Sequence, residues 1–158
     1  MFNMITKLDH SNKVVAQQIF AVFQCSYKIE AQLIGTCNFP PLLRSAIDIT
    51  NSATQFYGFF EGGGEGERIA AVIEVAIKDQ HLEIHSLTVD PDYFRKGIAS
   101  KLVSFVIETM DFVKATVETA VVNLPAITLY QKHGFVEYKR WIPSHGIEKV
   151  AMSIDLAP

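Results

Sequence analysis

The chain has 158 residues, about half of them apolar, which suits one domain with a real core. Its formal charge of −3 and scattered lysines and arginines exclude a basic face that would gather phosphate backbones, so no nucleic acid is expected as a partner. The N-terminus shows no basic stretch leading into an apolar core, and no apolar run approaches the ~20 residues needed to span a bilayer, so the expectation is a cytoplasmic chain with no membrane partner. Cys25 and Cys37 have no CxxC spacing and no histidine cluster beside them, so they read as two reduced, partly buried thiols rather than a disulfide or a metal site.

In chain order, Met1 to Leu8 alternates weakly and predicts a first strand. From Ser11 to Tyr27 the apolar residues Val14, Val15, Ile19, Val22 and Phe23 recur at helical spacing, which predicts an amphipathic helix ending near Lys28. Gly35, Phe39, Pro40 and Pro41 interrupt the pattern from Tyr27 to Ile49, with room for a short helix over Leu42–Ile49. Gln55–Phe60 and Ile69–Ile77 predict a hairpin around the loop Glu61-Gly62-Gly63-Gly64-Glu65-Gly66-Glu67. That loop lacks the Lys-Ser/Thr and the following helix of a phosphate loop, and its three glutamates would repel an anion.

A turn at Lys78-Asp79-Gln80 leads to a strand over His81–Val89. A helix from Lys96 to Met110 follows, with Ile98, Leu102, Phe105 and Val106 facing inward. Ala115–Val122 predicts a strand, and Leu124–His133 a helix stopped by Gly134. Phe135–Ile142 and Gly146–Leu156 predict a final strand pair. This order predicts an α/β fold in a single domain over residues 1–158: a mixed, mostly antiparallel central sheet of six to seven strands with helices on both faces.

The turn Val89-Asp90-Pro91-Asp92-Tyr93-Phe94-Arg95-Lys96-Gly97-Ile98-Ala99 carries the chemistry. A strand entering a helix through a short turn exposes backbone N–H groups at the positive end of the helix dipole. Gly97 and small Ala99 let a ligand approach that backbone, and Arg95 with Lys96 adds charge, so an anion site competes with an ordinary turn as the reading. The glycine spacing fits neither GxGxxG nor the Gly-x4-Gly-Lys loop.

The run Leu87-Thr88-Val89-Asp90-Pro91, then Arg95-Lys96-Gly97-Ile98-Ala99 and Leu102, resembles the acyl-CoA-binding motif of the GNAT superfamily of N-acyltransferases, with its [Gln/Arg]-x-x-Gly-x-[Gly/Ala] core. Asn123-Leu124-Pro125-Ala126-Ile127-Thr128-Leu129-Tyr130-Gln131-Lys132-His133-Gly134-Phe135 resembles that family's Asn-x-x-Ala-x-x-Leu-Tyr-x-x-x-Gly-Phe segment. One position departs: Phe94 stands where the family has Gln or Arg. The resemblance implies the GNAT fold, acetyl-CoA as acyl-donor cosubstrate, and transfer of the acetyl group to a primary amine by direct attack.

It also implies roles. Leu87, Thr88, Val89, Phe94, Arg95, Lys96, Gly97, Ile98, Ala99, Ser100, Asn123 and Ala126 would hold the cofactor, with the Leu87 N–H near the thioester oxygen. Tyr130 would also contact the cofactor and protonate the departing thiolate. Alternation puts Glu83 and His85 on one face of their strand, and either can take a proton; Glu83 matches the family's glutamate base and ranks first, His85 second. A solvated strand face for these two, a core tyrosine for Tyr130 and a helix cap for Asn123 are the plainer alternatives.

Tyr27, Glu30 and Phe39, with Leu42, lie in the segment expected to overhang the acceptor, where Glu30 would attract a cationic amine. The alternative to an enzyme is a non-catalytic acyl-CoA sensor or regulatory module, or an interaction protein with the anion site unused. Exposed C-terminal strand edges would permit a homodimer.

Overall fold

A computed structural model describes residues 4–36, 39–61 and 68–156. The expectations for Cys37 and for the glycine-rich loop 62–67 fall outside these residues. Within them lie β1 (Ile5–Leu8), α1 (Lys13–Ile34), α2 (Ala46–Thr50), β2 (Gln55–Phe60), β3 (Ile69–Lys78), β4 (His81–Val89), α3 (Ile98–Thr109), β5 (Lys114–Ala120), α4 (Leu124–Lys132), β6 (Val136–Trp141) and β7 (Lys149–Asp155). Short 3₁₀ turns occupy Pro40–Leu43 and Pro91–Tyr93, each started by a proline whose fixed φ suits the first position.

The strands form one seven-stranded sheet in the order β1-β2-β3-β4-β5-β7-β6. Every neighbouring pair is antiparallel except β4 and β5, which run parallel and are joined by α3 in a crossover. The Asp79-Gln80 turn between β3 and β4 takes positive φ at both residues, 53° and 61°, the backbone of a tight two-residue hairpin.

The core lies in two layers. On one face α1 packs Ile19, Phe23 and Tyr27 against Phe56 and Val72, with Ile49 of α2 closing the layer. On the other, Ile98, Leu102 and Val106 of α3 meet Ile73, Val75 and Leu82, and Tyr130 and Phe135 extend that layer toward β7. Helices therefore cover both faces, as the element order predicts.

Two expectations need correction. Helix α1 does not stop near Lys28; it continues two turns, because Ala31 keeps the inward stripe going after Tyr27. Gly35, in the left-handed region at φ 83°, ends it by donating its N–H to the carbonyls of Ala31 and Gln32. Tyr27 and Glu30 consequently stand on a rigid helix rather than on an irregular segment. Cys25 is not partly buried: it sits on the outward side of α1 and is exposed. None of the helices formed by the described residues is long and apolar enough to cross a membrane.

Candidate active site

Strand β4 organises the site. Its ladder to β3 pairs Glu74 with Ser86 but Val75 with Ile84, so His85 is an extra residue, a bulge that throws two successive side chains toward the same face. On its other edge, pairing with β5 runs from His81 opposite Lys114 only to Ile84 opposite Val117. Beyond that point the two parallel strands part. A cavity of about 700 Å³ opens between them, walled by Leu87 and Val89 of β4 and by Glu118, Thr119 and Ala120 of β5.

One end of the cavity reaches the turn before α3. Asp90 takes the Asp92 N–H on its carboxylate at 3.0 Å and starts the 3₁₀ turn. Arg95 and Gly97 then adopt positive φ, 65° and 73°. For Arg95 this backbone costs about 1 kcal/mol. A Cβ built on Gly97 would meet nothing within 4 Å, so the space in front of α3 is open and the left-handed backbone alone calls for glycine. Among the described residues no side chain caps the α3 N-terminus. Open space, first-turn amides without a side-chain cap and the Arg95 charge are what a bound anion requires.

Most of the anticipated donor residues line this end: Leu87, Val89, Phe94, Arg95, Gly97, Ile98, Ala99, Ser100, Asn123 and Ala126. Two do not. Thr88 points to the opposite face, where its hydroxyl is buried 3.4 Å from the Val72 carbonyl. Lys96 lays its ammonium over the Tyr93 ring, 5.3 Å from the centroid, outside the cavity wall. Ser100 is held from behind by His133, whose Nε2 lies 2.9 Å from its hydroxyl; burial, then the Lys132 charge, lowers the His133 pKa.

Tyr130 projects from α4 into the middle of the cavity and packs edge-on against Phe135 at 5.6 Å. Burial, and after it the charges of Glu30 and Tyr27, push its phenol well above the ordinary tyrosine range, so it stays a proton donor. Asn123 both lines the cavity and caps α4, accepting the Ala126 N–H at 3.3 Å, so its two readings hold together.

The other end is bounded by Tyr27 and Glu30 of α1 and by Phe39, with the Tyr27 and Phe39 rings edge-to-face at 5.8 Å. Leu42 lies outside the lining; its carbonyl takes the Gln24 side-chain N–H at 3.2 Å. Burial raises the Glu30 pKa, opposed by the Lys149 charge. Of the two candidate bases, His85 lines the cavity. Glu83 does not: it precedes the bulge, its side chain is 53% exposed, and its Oε1 stands 3.6 Å from His85 Nε2. Alternation put both on one face, and they do share it, but only His85 lies beyond Ile84, where the β4–β5 ladder has ended and the cavity begins.

This end of the cavity also contains residues not foreseen. Glu118 of β5 and Lys149 of β7 form an ion pair at 3.1 Å, and His145 and Ile147 close the wall from the β6–β7 connection. Alternation along β5 could have placed Glu118 on this face. Lys149 has no local signal, since its neighbourhood depends on the register that sets it opposite Ala120. Among the described residues no cluster of His, Cys, Asp or Glu could hold a metal ion.

Comparison with known proteins agrees with this geometry. The chain is 37% identical over 133 residues to the UPF0157 protein YqkA of Bacillus subtilis strain 168, a match covering 84% of this chain and 38% of that protein; the chain thus spans well under half the length of this relative. It superposes on the ribosomal-protein-S18-alanine N-acetyltransferase of Escherichia coli with a TM-score of 0.73 at 18% identity, covering 98% of this chain and 94% of the other. The PaiA N-acetyltransferase of Thermoplasma acidophilum, solved in complex with coenzyme A, gives the same TM-score and identity over 96% and 97% of the two chains. At such identity these two structures speak for the fold, and the match of residues 18–135 to a family profile speaks for descent: the chain belongs to the Acetyltransferase (GNAT) family.

Proposed function

We propose that this chain is an acetyl-CoA-dependent N-acetyltransferase acting on a primary amine, the whole stretch working as one catalytic unit. The observation that carries the reading is the parting of β4 and β5 beyond Ile84 and Val117. It opens one continuous cavity from the uncapped α3 N-terminus, past Tyr130, to the Tyr27–Glu30–Phe39 wall. An acyl donor and an amine can meet there. The neighbour solved with coenzyme A supports the choice of donor.

The donor's pyrophosphate fits the turn, where the backbone N–H groups opening α3 and the Arg95 guanidinium meet negative charge. The pantetheine fits along β4, whose ladder to β5 has ended, so that its backbone can pair with an extended ligand at Leu87 and Val89. A Leu87 N–H directed at the thioester oxygen would stabilise the charge that develops there.

His85 is the base in this reading, since it reaches the cavity, and Glu83 behind it stabilises the imidazolium formed when the amine's proton is taken. The amine nitrogen then bonds to the carbonyl carbon, the carbon–sulfur bond breaks, and Tyr130 gives its proton to the leaving thiolate. Burial keeps that phenol protonated at neutral pH, so its proton is present when the thiolate leaves. Glu30 draws a cationic amine toward the thioester and bears on the acceptor's affinity.

A screen of amines with acetyl-CoA, following release of free thiol, tests the reading. Turnover with at least one amine class is expected. Binding of acetyl-CoA without turnover across amino acids, polyamines, peptide N-termini and lysine side chains would instead favour a non-catalytic acyl-CoA sensor.

A further inference from the structure

Glu74 lies in the middle of β3, 2% exposed, on the face that α1 covers. A carboxylate there loses its hydration and is tolerated only where donors replace water. Four do. Arg44 donates from Nη1 and Nη2 to its two oxygens at 2.7 and 2.9 Å, the Thr54 hydroxyl at 2.6 Å and the Ser86 hydroxyl at 2.9 Å. Burial pushes the Glu74 carboxyl up, and the hydrogen bonds and charge of Arg44, with Thr54 and Ser86, more than reverse this, leaving it below the usual carboxylate range. The guanidinium is fixed in turn, 5.7 Å from the centroids of both Phe23 and Phe56.

Two of the three donor residues, Arg44 and Ser86, belong to the acceptor end. Arg44 directly follows the Pro40–Leu43 turn, and Phe39, Pro40 and Pro41 line the cavity. Ser86 directly follows the bulged His85, stands opposite Glu74 in the ladder and, like Tyr27, lines the cavity. Stability alone does not call for such a pair, because apolar residues of similar volume in place of a buried ion pair are often neutral or stabilising. What the charges add is direction, since a bidentate guanidinium–carboxylate pair fixes the orientation of both partners.

We propose that Glu74 is a positioning residue for the acceptor site: through Arg44 it holds the Phe39–Pro41 wall, and through Ser86 it holds the bulge at His85, which lines the cavity. That this end receives the acceptor rests on the acetyltransfer reading above; the mechanical coupling does not.

The test uses Arg44→Met with Glu74→Leu in one chain, and Glu74→Gln alone. The double variant exchanges the pair for apolar groups of similar size, so its Tm should stay within about 4 °C of wild type. Coenzyme A affinity should be unchanged in both variants. Amide exchange should quicken about tenfold in the double variant at Leu42–Arg44 and at His85–Leu87 together, with the rest of the sheet unaffected. With any amine the wild type acetylates, kcat/KM should fall by ~10- to 100-fold, chiefly through KM, as expected when a positioned group is released.

Glu74→Gln keeps the shape but leaves the Arg44 charge without its partner, and should quicken exchange at the same two segments and raise KM, which keeps the inference falsifiable if the double variant does not fold. Unchanged exchange at either segment, or an unchanged KM, would overturn it. A wild-type chain that acetylates nothing would sink the acetyltransfer reading, while the exchange data would still judge the coupling.

Discussion

The two ends of the cavity are built by different means. The donor end is largely backbone: a left-handed Arg95 and Gly97, a helix N-terminus without a side-chain cap, and a strand edge where the β4–β5 ladder has stopped. The acceptor end is side chains brought together from α1, the Phe39–Pro41 wall, β4, β5 and β7, with Tyr27, Glu30, His85, Glu118 and Lys149 as its polar groups. A backbone site tolerates changes of side chain and fails when a dihedral angle is altered. A side-chain site behaves the other way, and tunes to its ligand one residue at a time.

Tyr130 stands where the two ends meet, so its loss should have the largest effect. Tyr130→Phe should lower kcat by ~100-fold or more while leaving coenzyme A affinity intact, the loss expected for a general acid. Single-turnover rates with calorimetric binding separate the two quantities. At the donor end, Gly97→Ala should weaken coenzyme A about tenfold, because alanine disfavours φ 73° by 1–2 kcal/mol. Equal binding by the two proteins would mean that the turn does not hold the donor through its backbone.

Glu30→Gln probes the other end and should raise KM for cationic amines about fivefold while sparing coenzyme A binding. The pH dependence has a defined sign. Because burial raises the Glu30 pKa, its charge is present above that raised value and disappears as pH falls through it. Wild-type KM for a cationic amine should therefore climb on acidification in a window above the ordinary glutamate range, and Glu30→Gln should flatten that limb.

Glu74 gives a smaller effect, read in stability. Its folded pKa is lowered, so its contribution is complete above the unfolded value of 4.5 and is lost as pH falls through the folded value. Thermal melts from pH 7 to pH 3 should show a shallower acid limb for Arg44→Met with Glu74→Leu than for wild type. The smallest change belongs to Phe94, 41% exposed on the cavity wall where the family has Gln or Arg. Phe94→Arg should tighten coenzyme A only two- to threefold, by about 0.5 kcal/mol, in a salt-dependent way.

The same contrast explains what could be read in advance. The end proposed for the donor is local in sequence: Leu87 to Leu102 and Asn123 to Phe135 contain its glycine, its helix starts and its tyrosine, so most of its lining lies in two short stretches. Element order was legible too, since β2, β4 and α4 announce themselves by alternation, period and punctuation. The acceptor end is made by register. The bulge at His85 is one unpaired residue in a ladder and leaves no mark in a strand that alternates cleanly from His81 to His85.

Lys149 reaches Glu118 only because β7 pairs with β5 in one particular alignment. The run of α1 beyond Lys28 was hidden by polar residues flanking Ala31, a small side chain that tight packing against the sheet makes part of the core. Thr88 and Lys96 sit inside the donor motif yet face away from the cavity, because a motif fixes the path of the backbone and not the direction of every side chain along it.

In the proposed reaction the gap between β4 and β5 receives an acyl-CoA through backbone groups. Titration of the ¹⁵N-labelled chain with acetyl-CoA, followed by amide NMR, tests it most directly. Saturable shifts are expected at Leu87, Val89 and the first turn of α3 from Ile98 to Ser100, with the β1–β2 edge of the sheet unaffected. Absence of binding, or shifts that bypass Leu87 and the α3 N-terminus, would contradict it.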